Sequence, residues 1–527
     1  MNVSIACVLV ASVGLAAVAL MRGSRSDERS PDISASTAAA LFFAASAIHV
    51  SILLVMRKAG FVLFTMDEAV RADIACGWAR SPYFFTWWDG IWLSGGFAYY
   101  GTFIRLLGDA VLGIQFGALF GGVLVAVGAF YLAWTLSGRL WIGALASSLF
   151  APAYPYLWFG HGALIEAPIA GVFMLAFAEC WRLAVAPSGD ARRIGLHAGL
   201  ASLLLFLTAS MHYVGWMAIA AGAPFSFVAL WRGGRLRPGA GRGPAIVVLA
   251  GAALFPILWA IGSAHHLGHP LQFLRNQARV AEFYMGQLGR ENAALSNFIA
   301  HPRELARQAG ILIPLLAGLG LVGITRMPGA RPVVIVATYV AALILIMSLV
   351  SIKAGYGAPP RSLTIVYSMT LVLAALVFQV VERGLFGGAR VGRTARLAAR
   401  ASTALFAVGW LGFNGLMAHR YETYGDDVRH DTLALGAWLQ QEIRRPQFMA
   451  ELGPETRIGV YSERAAGETI ALIGYLASRP GNIRAISPEQ AESNDFAEFD
   501  CVLYDGDPGV ANLNPVIQIG NWRVFDR

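Results

Sequence analysis

Two adjacent carboxylates, Asp67 and Glu68, follow an apolar run in the segment Thr65-Met66-Asp67-Glu68-Ala69-Val70-Arg71-Ala72-Asp73-Ile74-Ala75. Charges beside a long apolar segment are costly unless they are used or paired. One use is proton transfer, since a positioned carboxylate can serve as general base. The alternative is local satisfaction: on a helix Asp67 and Arg71 stand four residues apart on one face, forming a surface ion pair at an interfacial helix start. Further ionisable candidates are Glu166 in His161-Gly162-Ala163-Leu164-Ile165-Glu166, Asp89 among the tryptophans 87, 88 and 92, and Lys353 and Arg361 flanking the turn that contains Tyr356. His265 and His269 have the i,i+4 spacing of zinc ligands, but no third ligand is evident nearby, and Gly268 and Pro270 break a helix there.

The elements that must position these residues follow from composition. The 527 residues are 57% hydrophobic and 14% charged, well below the roughly 25% charged of soluble domains. Apolar runs long enough to span a bilayer recur up to residue 418 and then stop. They define a polytopic α-helical membrane domain over 1–418, with about twelve spans near 2–21, 36–56, 106–136, 140–160, 167–185, 195–211, 213–231, 244–262, 309–325, 332–352, 363–382 and 401–418. The run from Val3 reads as a retained anchor, lacking the basic start of a cleaved signal.

Residues 419–527 hold 10 Lys/Arg and 17 Asp/Glu, a balance of −7, against 30 and 15, or +15, in the first 418. Helical patterns at Thr432–Arg445 and Thr469–Ala477 with strand-like runs at Arg457–Tyr461 and Cys501–Tyr504 predict a small soluble C-terminal α/β domain. Every second connection, beginning with 22–34, is Arg-rich, and the positive-inside rule places these in the cytoplasm. The loops 57–105 and 263–308 and the C-terminal domain then face outward from the plasma membrane, the inner membrane of a bacterium. The aromatic residues of 57–105 suit helices in the headgroup layer. No basic, aromatic-laced nucleic-acid motif is present, and Cys7, Cys76, Cys180 and Cys501 show no paired spacing.

Asp67-Glu68 at the start of the first large outer loop, with the Arg and Ile-Ala that follow, resembles the signature of the GT-C superfamily of membrane glycosyltransferases, in particular the aminoarabinose transferases and the protein O-mannosyltransferases. The resemblance implies a sugar transferase that takes a polyprenyl-phosphate-linked donor to a lipid, glycan or protein acceptor on the outer face, with inversion. Membrane lipids are its surroundings, and no cofactor or metal is assigned. Carried over by position, Asp67 is the catalytic base with Glu68 beside it, and Glu166 is the second outer-loop carboxylate. Arg71 and His161 are further substrate-site candidates, and Asp89 among its tryptophans either binds sugar hydroxyls over an aromatic platform or caps a helix in an aromatic belt. Tyr356 and Arg361 form an aromatic-plus-Arg turn at the donor phosphate. The aminoarabinose branch has a Lys-Pro-Pro run where this chain reads Phe85-Thr86-Trp87-Trp88-Asp89. Lys353 with Arg361 is the substitute cationic pair, although both also suit snorkelling at the interface. A multispanning transporter or lipid flippase is the alternative, but such carriers place ionisable groups near the midplane, whereas the carboxylates here sit at outer boundaries.

Overall fold

The computed structural model describes residues 34–58, 66–84, 92–160, 162–186, 190–232, 242–276, 294–310, 331–354, 360–386 and most of 406–417, with the strands of a sheet and scattered positions between 458 and 526. In chain order the helices are α1 (Ala35–Lys58), α2 (Met66–Arg80), α3 (Ser94–Leu107), α4 (Ala110–Ser137), α5 (Leu140–Phe150), α6 (Tyr154–Phe159) and α7 (Glu166–Val185). Then follow α8 (Ala191–Met211), α9 (Tyr213–Arg232), α10 (Arg242–Leu267), α11 (Ala294–Ala309), α12 (Arg331–Ala354), a 3-10 turn (Pro360–Leu363) and α13 (Thr364–Phe386). Six of these, α1, α4, α7, α8, α10 and α12, are long and apolar enough to cross a membrane. The expected span at 2–21 lies outside the described residues, as does nearly all of 309–325.

Three expected boundaries are corrected. The run 106–136 is not one helix, because α3 ends on Gly108 in the left-handed region (φ 68°) and Asp109 caps α4, accepting from the Leu112 N–H at 2.7 Å. The run 244–262 extends as α10 to Leu267, and Gly268 (φ 76°) then turns the chain, so His269 is off the helix that carries His265. The run 140–160 is two helices, α5 and α6, broken at Ala151-Pro152-Ala153.

That break is stabilised by side chains of distant helices. Pro155 has no N–H to offer the Ala151 carbonyl, and His49 Nδ1 of α1 donates to it instead at 3.1 Å. The Ala153 N–H bonds Phe150, so the Leu149 carbonyl is taken by Trp410 Nε1 at 3.1 Å, and Asn414 accepts from the Tyr154 N–H at 2.9 Å. Backbone polar groups inside a bilayer have no water to turn to, and these bonds let an irregular segment persist there.

Small residues set the distances between the helices that carry the site. Along α4, Gly113 and Gly117 admit α3, with Ile104, Tyr100 and Phe103 against them, and Gly121 admits Pro168 of α7. Deeper, a Cβ on Gly128 would lie 2.7 Å from the Gly171 carbonyl oxygen, and one on Gly171 would lie 2.5 Å from the Leu124 carbonyl carbon. Helices α4 and α7 therefore touch backbone to backbone, the close approach that small residues permit where no hydrophobic effect drives association. Gly171→Val is expected to part these helices, costing about 1–3 kcal/mol or more by overpacking. A thermal-aggregation series on detergent-solubilised protein measures it, and an unchanged midpoint would contradict the contact.

In the C-terminal segment five strands, β1 (Ile458–Ser462), β2 (Ile483–Ala485), β3 (Cys501–Asp505), β4 (Ile517–Ile519) and β5 (Trp522–Asp526), form one sheet in the order β2-β1-β3-β5-β4. β1 runs parallel to β2 and β3, and β5 antiparallel to β3 and β4. Strands begin within one residue of both expected runs, while the helical patterns at 432–445 and 469–477 lie outside the described residues. Phe499 packs on Gly459 in a small core with Ile486, Phe496, Val502 and Tyr504.

Candidate active site

Helix α2 presents Glu68 and Arg71, three residues apart and so on one face, towards the turn that enters α7. Glu68 is fully buried, and its carboxylate lies directly on Gly162, where a Cβ would overlap Oε2 and stand 2.5 Å from Cδ. Arg71 crosses to Glu166, the first residue of α7, with Nη1 3.5 Å from Oε2 and both side chains only 6% exposed. The guanidinium also stands over the Trp92 ring, 5.7 Å from its centroid. Arg71 is thus committed across the fold to α7, a contact that sequence spacing, which offered only Asp67 as partner, could not reveal.

Glu166 gains from its position. The N-terminus of a helix carries partial positive charge, which favours a carboxylate there. Desolvating the ion pair is costly, and the indole beneath the guanidinium and the facing charge offset it. Tyr100 of α3 closes the site, its hydroxyl donating to the Leu164 carbonyl and so holding residues 162–165 at the entry to α7. Burial foremost, then the neighbouring Tyr99, Glu166 and Glu68, raises the Tyr100 hydroxyl pKa well above its ordinary value, against a smaller opposing effect of Arg71. At neutral pH it remains a donor. Tyr99 in turn donates to the Gly117 carbonyl at 2.8 Å, tying this wall to α4.

Of the residues singled out in the sequence, Glu68, Arg71 and Glu166 are brought together. Asp67 is the second residue of α2, and its side chain lies outside the described residues, as do those of Lys353 at the end of α12 and Arg361 in the 3-10 turn. Asp89, His161 and Tyr356 lie wholly outside them. The 3-10 turn leads into Thr364 and Ser368, both bonded by the Tyr156 hydroxyl, so the start of α13 is joined to α6. Tyr100, Gly162 and Leu164 were not legible as site residues. A tyrosine and a glycine in an apolar chain carry no signal until the helices that oppose them are known.

Two other polar clusters stand apart. Glu179, roughly 20 Å further along α7, accepts from Tyr131 and from His197 Nδ1 (2.6 Å), with Arg182 over the Tyr131 and Trp134 rings at 4.5 and 5.2 Å. His301 of α11 is buried beside Ser351, and burial pushes its pKa down to about 4. Among the described residues no three His, Cys, Asp or Glu side chains are grouped as a metal would need.

The chain has the GT-C fold. It superposes on ArnT from Cupriavidus metallidurans bound to undecaprenyl phosphate with a TM-score of 0.60, at 15% identity, over 93% of this chain and 98% of that one. The apo state of the same protein gives 0.57 at 14% identity over the same shares. The oligosaccharyltransferase of Archaeoglobus fulgidus in complex with zinc and sulfate gives 0.52 at 14% identity, over 88% of this chain and 68% of that one. At such identities the likeness is one of fold. The sequence matches no protein-family model and no curated protein.

Proposed function

We propose that the chain is a glycosyltransferase that moves a sugar from a polyprenyl-phosphate donor to an acceptor hydroxyl or amine on the outer face of the membrane. The observation that carries this reading is the convergence of two buried carboxylates and a buried guanidinium where α2 meets the start of α7. A structural membrane protein has little reason to desolvate three charges at a helix junction. The likeness of fold to a protein crystallised with undecaprenyl phosphate supports the choice of donor.

In this mechanism Asp67 removes the proton from the acceptor as its oxygen or nitrogen bonds to the anomeric carbon. The bond between that carbon and the phosphate oxygen breaks on the opposite face, and the electron pair leaves with the polyprenyl phosphate. Configuration inverts. Lys353 and Arg361 neutralise the charge that develops on the departing phosphate. Glu68 orients a hydroxyl, and Asp89, His161 and Tyr356 complete the walls. The C-terminal sheet belongs to an outward domain that covers or selects the acceptor.

The test is consumption of labelled polyprenyl-phosphate sugars by membranes containing the protein, over a panel of pentosyl and hexosyl donors. Release of free polyprenyl phosphate with label appearing in an acceptor supports the reading. No consumption of any donor would move the assignment to a carrier or flippase.

A further inference from the structure

We infer that the Arg71–Glu166 pair is a buried brace that fixes the first turn of α2 against α7, which makes Arg71 a positioning residue and not a ligand of the donor phosphate. What is positioned rests on the glycosyl-transfer reading; the brace itself rests on geometry. The charge of Arg71 is already matched by a carboxylate at 3.5 Å, both side chains are almost wholly buried, and the guanidinium lies over the Trp92 ring. A phosphate ligand needs an uncommitted charge that solvent or substrate can reach, and Arg71 has neither.

The two ends of the brace differ in rigidity. Helix α7 is locked to α4 through Gly128, Gly171 and the Gly121–Pro168 contact, so Glu166 is a fixed anchor. Helix α2 (15 residues) is bound mainly to α3, through the buried Ala72, Ala75 and Cys76 and through Trp78 against Gly101, whereas its contacts towards α7 come from Glu68 on Gly162 and Arg71 on Glu166. Its register against α7 therefore depends on a tie near its start. Arg71 lies one helical turn after Asp67 and three residues after Glu68, so fixing its guanidinium fixes the turn that bears both carboxylates. Arg71 Nε and Nη1 and Glu166 Oε2 make no hydrogen bond among the described residues. The tie therefore works through charge and the cation–π contact with Trp92, not through the bidentate fork peculiar to arginine, and an ammonium can make both interactions, so lysine should preserve part of it.

The experiment uses the full chain in lipid nanodiscs and two variants, Arg71→Lys and the double variant Arg71→Met/Glu166→Gln. The double variant buries no charge, and replacing both partners of a buried pair is commonly tolerated by the fold. Hydrogen–deuterium exchange reads the brace without reference to any reaction. Amides 70–76 of the double variant should exchange at least about tenfold faster, with α4 unchanged, as expected when a local unit is released. Turnover reads the consequence: kcat should fall about 10²-fold, as a misplacement of about 1 Å can cause, with the donor KM within about threefold of wild type. Arg71→Lys should lie between wild type and the double variant in both.

Unchanged exchange at 70–76 would overturn the brace. A donor KM raised about tenfold or more at preserved kcat would overturn the positioning role and make Arg71 a donor ligand. If the wild type consumes no donor, the glycosyl-transfer reading fails by itself, and the exchange measurement still decides the brace.

Discussion

Asp67→Asn is expected to lower sugar transfer by about 10²–10⁴-fold while leaving the protein folded and inserted, because that is what removal of a positioned general base costs. Asparagine matches the shape of aspartate and can still accept a hydrogen bond, but it cannot take the acceptor's proton. The residue stands in the first turn of α2, beside a fully buried glutamate and one turn from the Arg71–Glu166 pair. Loss of the base should appear in kcat, and in kcat/KM to a similar degree, because proton removal belongs to the transition state and not to donor binding. Glu68→Gln offers the contrast: if Glu68 only orients a hydroxyl, its loss should be the smaller and should fall partly on KM. Steady-state kinetics in nanodiscs, with folding checked by size-exclusion profile, measures both. Transfer by Asp67→Asn at the wild-type rate would remove Asp67 from the mechanism; an effect as large in Glu68→Gln, with Asp67→Asn unaffected, would move the base by one residue.

The fold was largely legible because bilayer physics writes itself into composition. Six of the expected spans are found as helices long and apolar enough to cross a membrane, with ends displaced by a few residues. What failed was punctuation. The Gly108–Asp109 junction sits inside a hydrophobic run, and hydropathy alone cannot see a left-handed glycine followed by a capping aspartate. The α5–α6 break likewise depends on Pro152 and Pro155 and on His49, Trp410 and Asn414 arriving from helices far away in sequence. For the site, sequence picked out the acidic residues because buried charge in an apolar chain is conspicuous. It assigned Arg71 by spacing along one helix, whereas the guanidinium is engaged by a residue 95 positions later. Long-range pairing of that kind carries no local signal. The same holds for Tyr100, a pinning donor that reads as one more aromatic in a loop full of them.

Gly162→Ala carries the second large expectation, and it tests whether the turn entering α7 is shaped around the Glu68 carboxylate. An added methyl would overlap Oε2, stand 2.5 Å from Cδ and lie 3.1 Å from Cβ of Glu68. Such an overlap is cheap when the side chain can swing aside into open space. Glu68 has no solvent exposure, and Tyr100 stands near enough to feel its charge. The methyl must therefore push the first turn of α2 away from residues 162–165, carrying Asp67 with it. A shift approaching 1 Å at a catalytic carboxylate lowers transfer about 10²-fold, while the spans of the protein, whose packing lies elsewhere, remain assembled. The double variant Glu68→Ala/Gly162→Ala separates crowding from chemistry, since the shortened side chain makes room for the methyl. Thermal stability should return towards wild type in the double variant, but transfer should not, because the carboxylate proposed to orient a hydroxyl is gone. Recovery of both would show that Glu68 only fills space, and wild-type transfer by Gly162→Ala alone would contradict the contact between the glutamate and the turn.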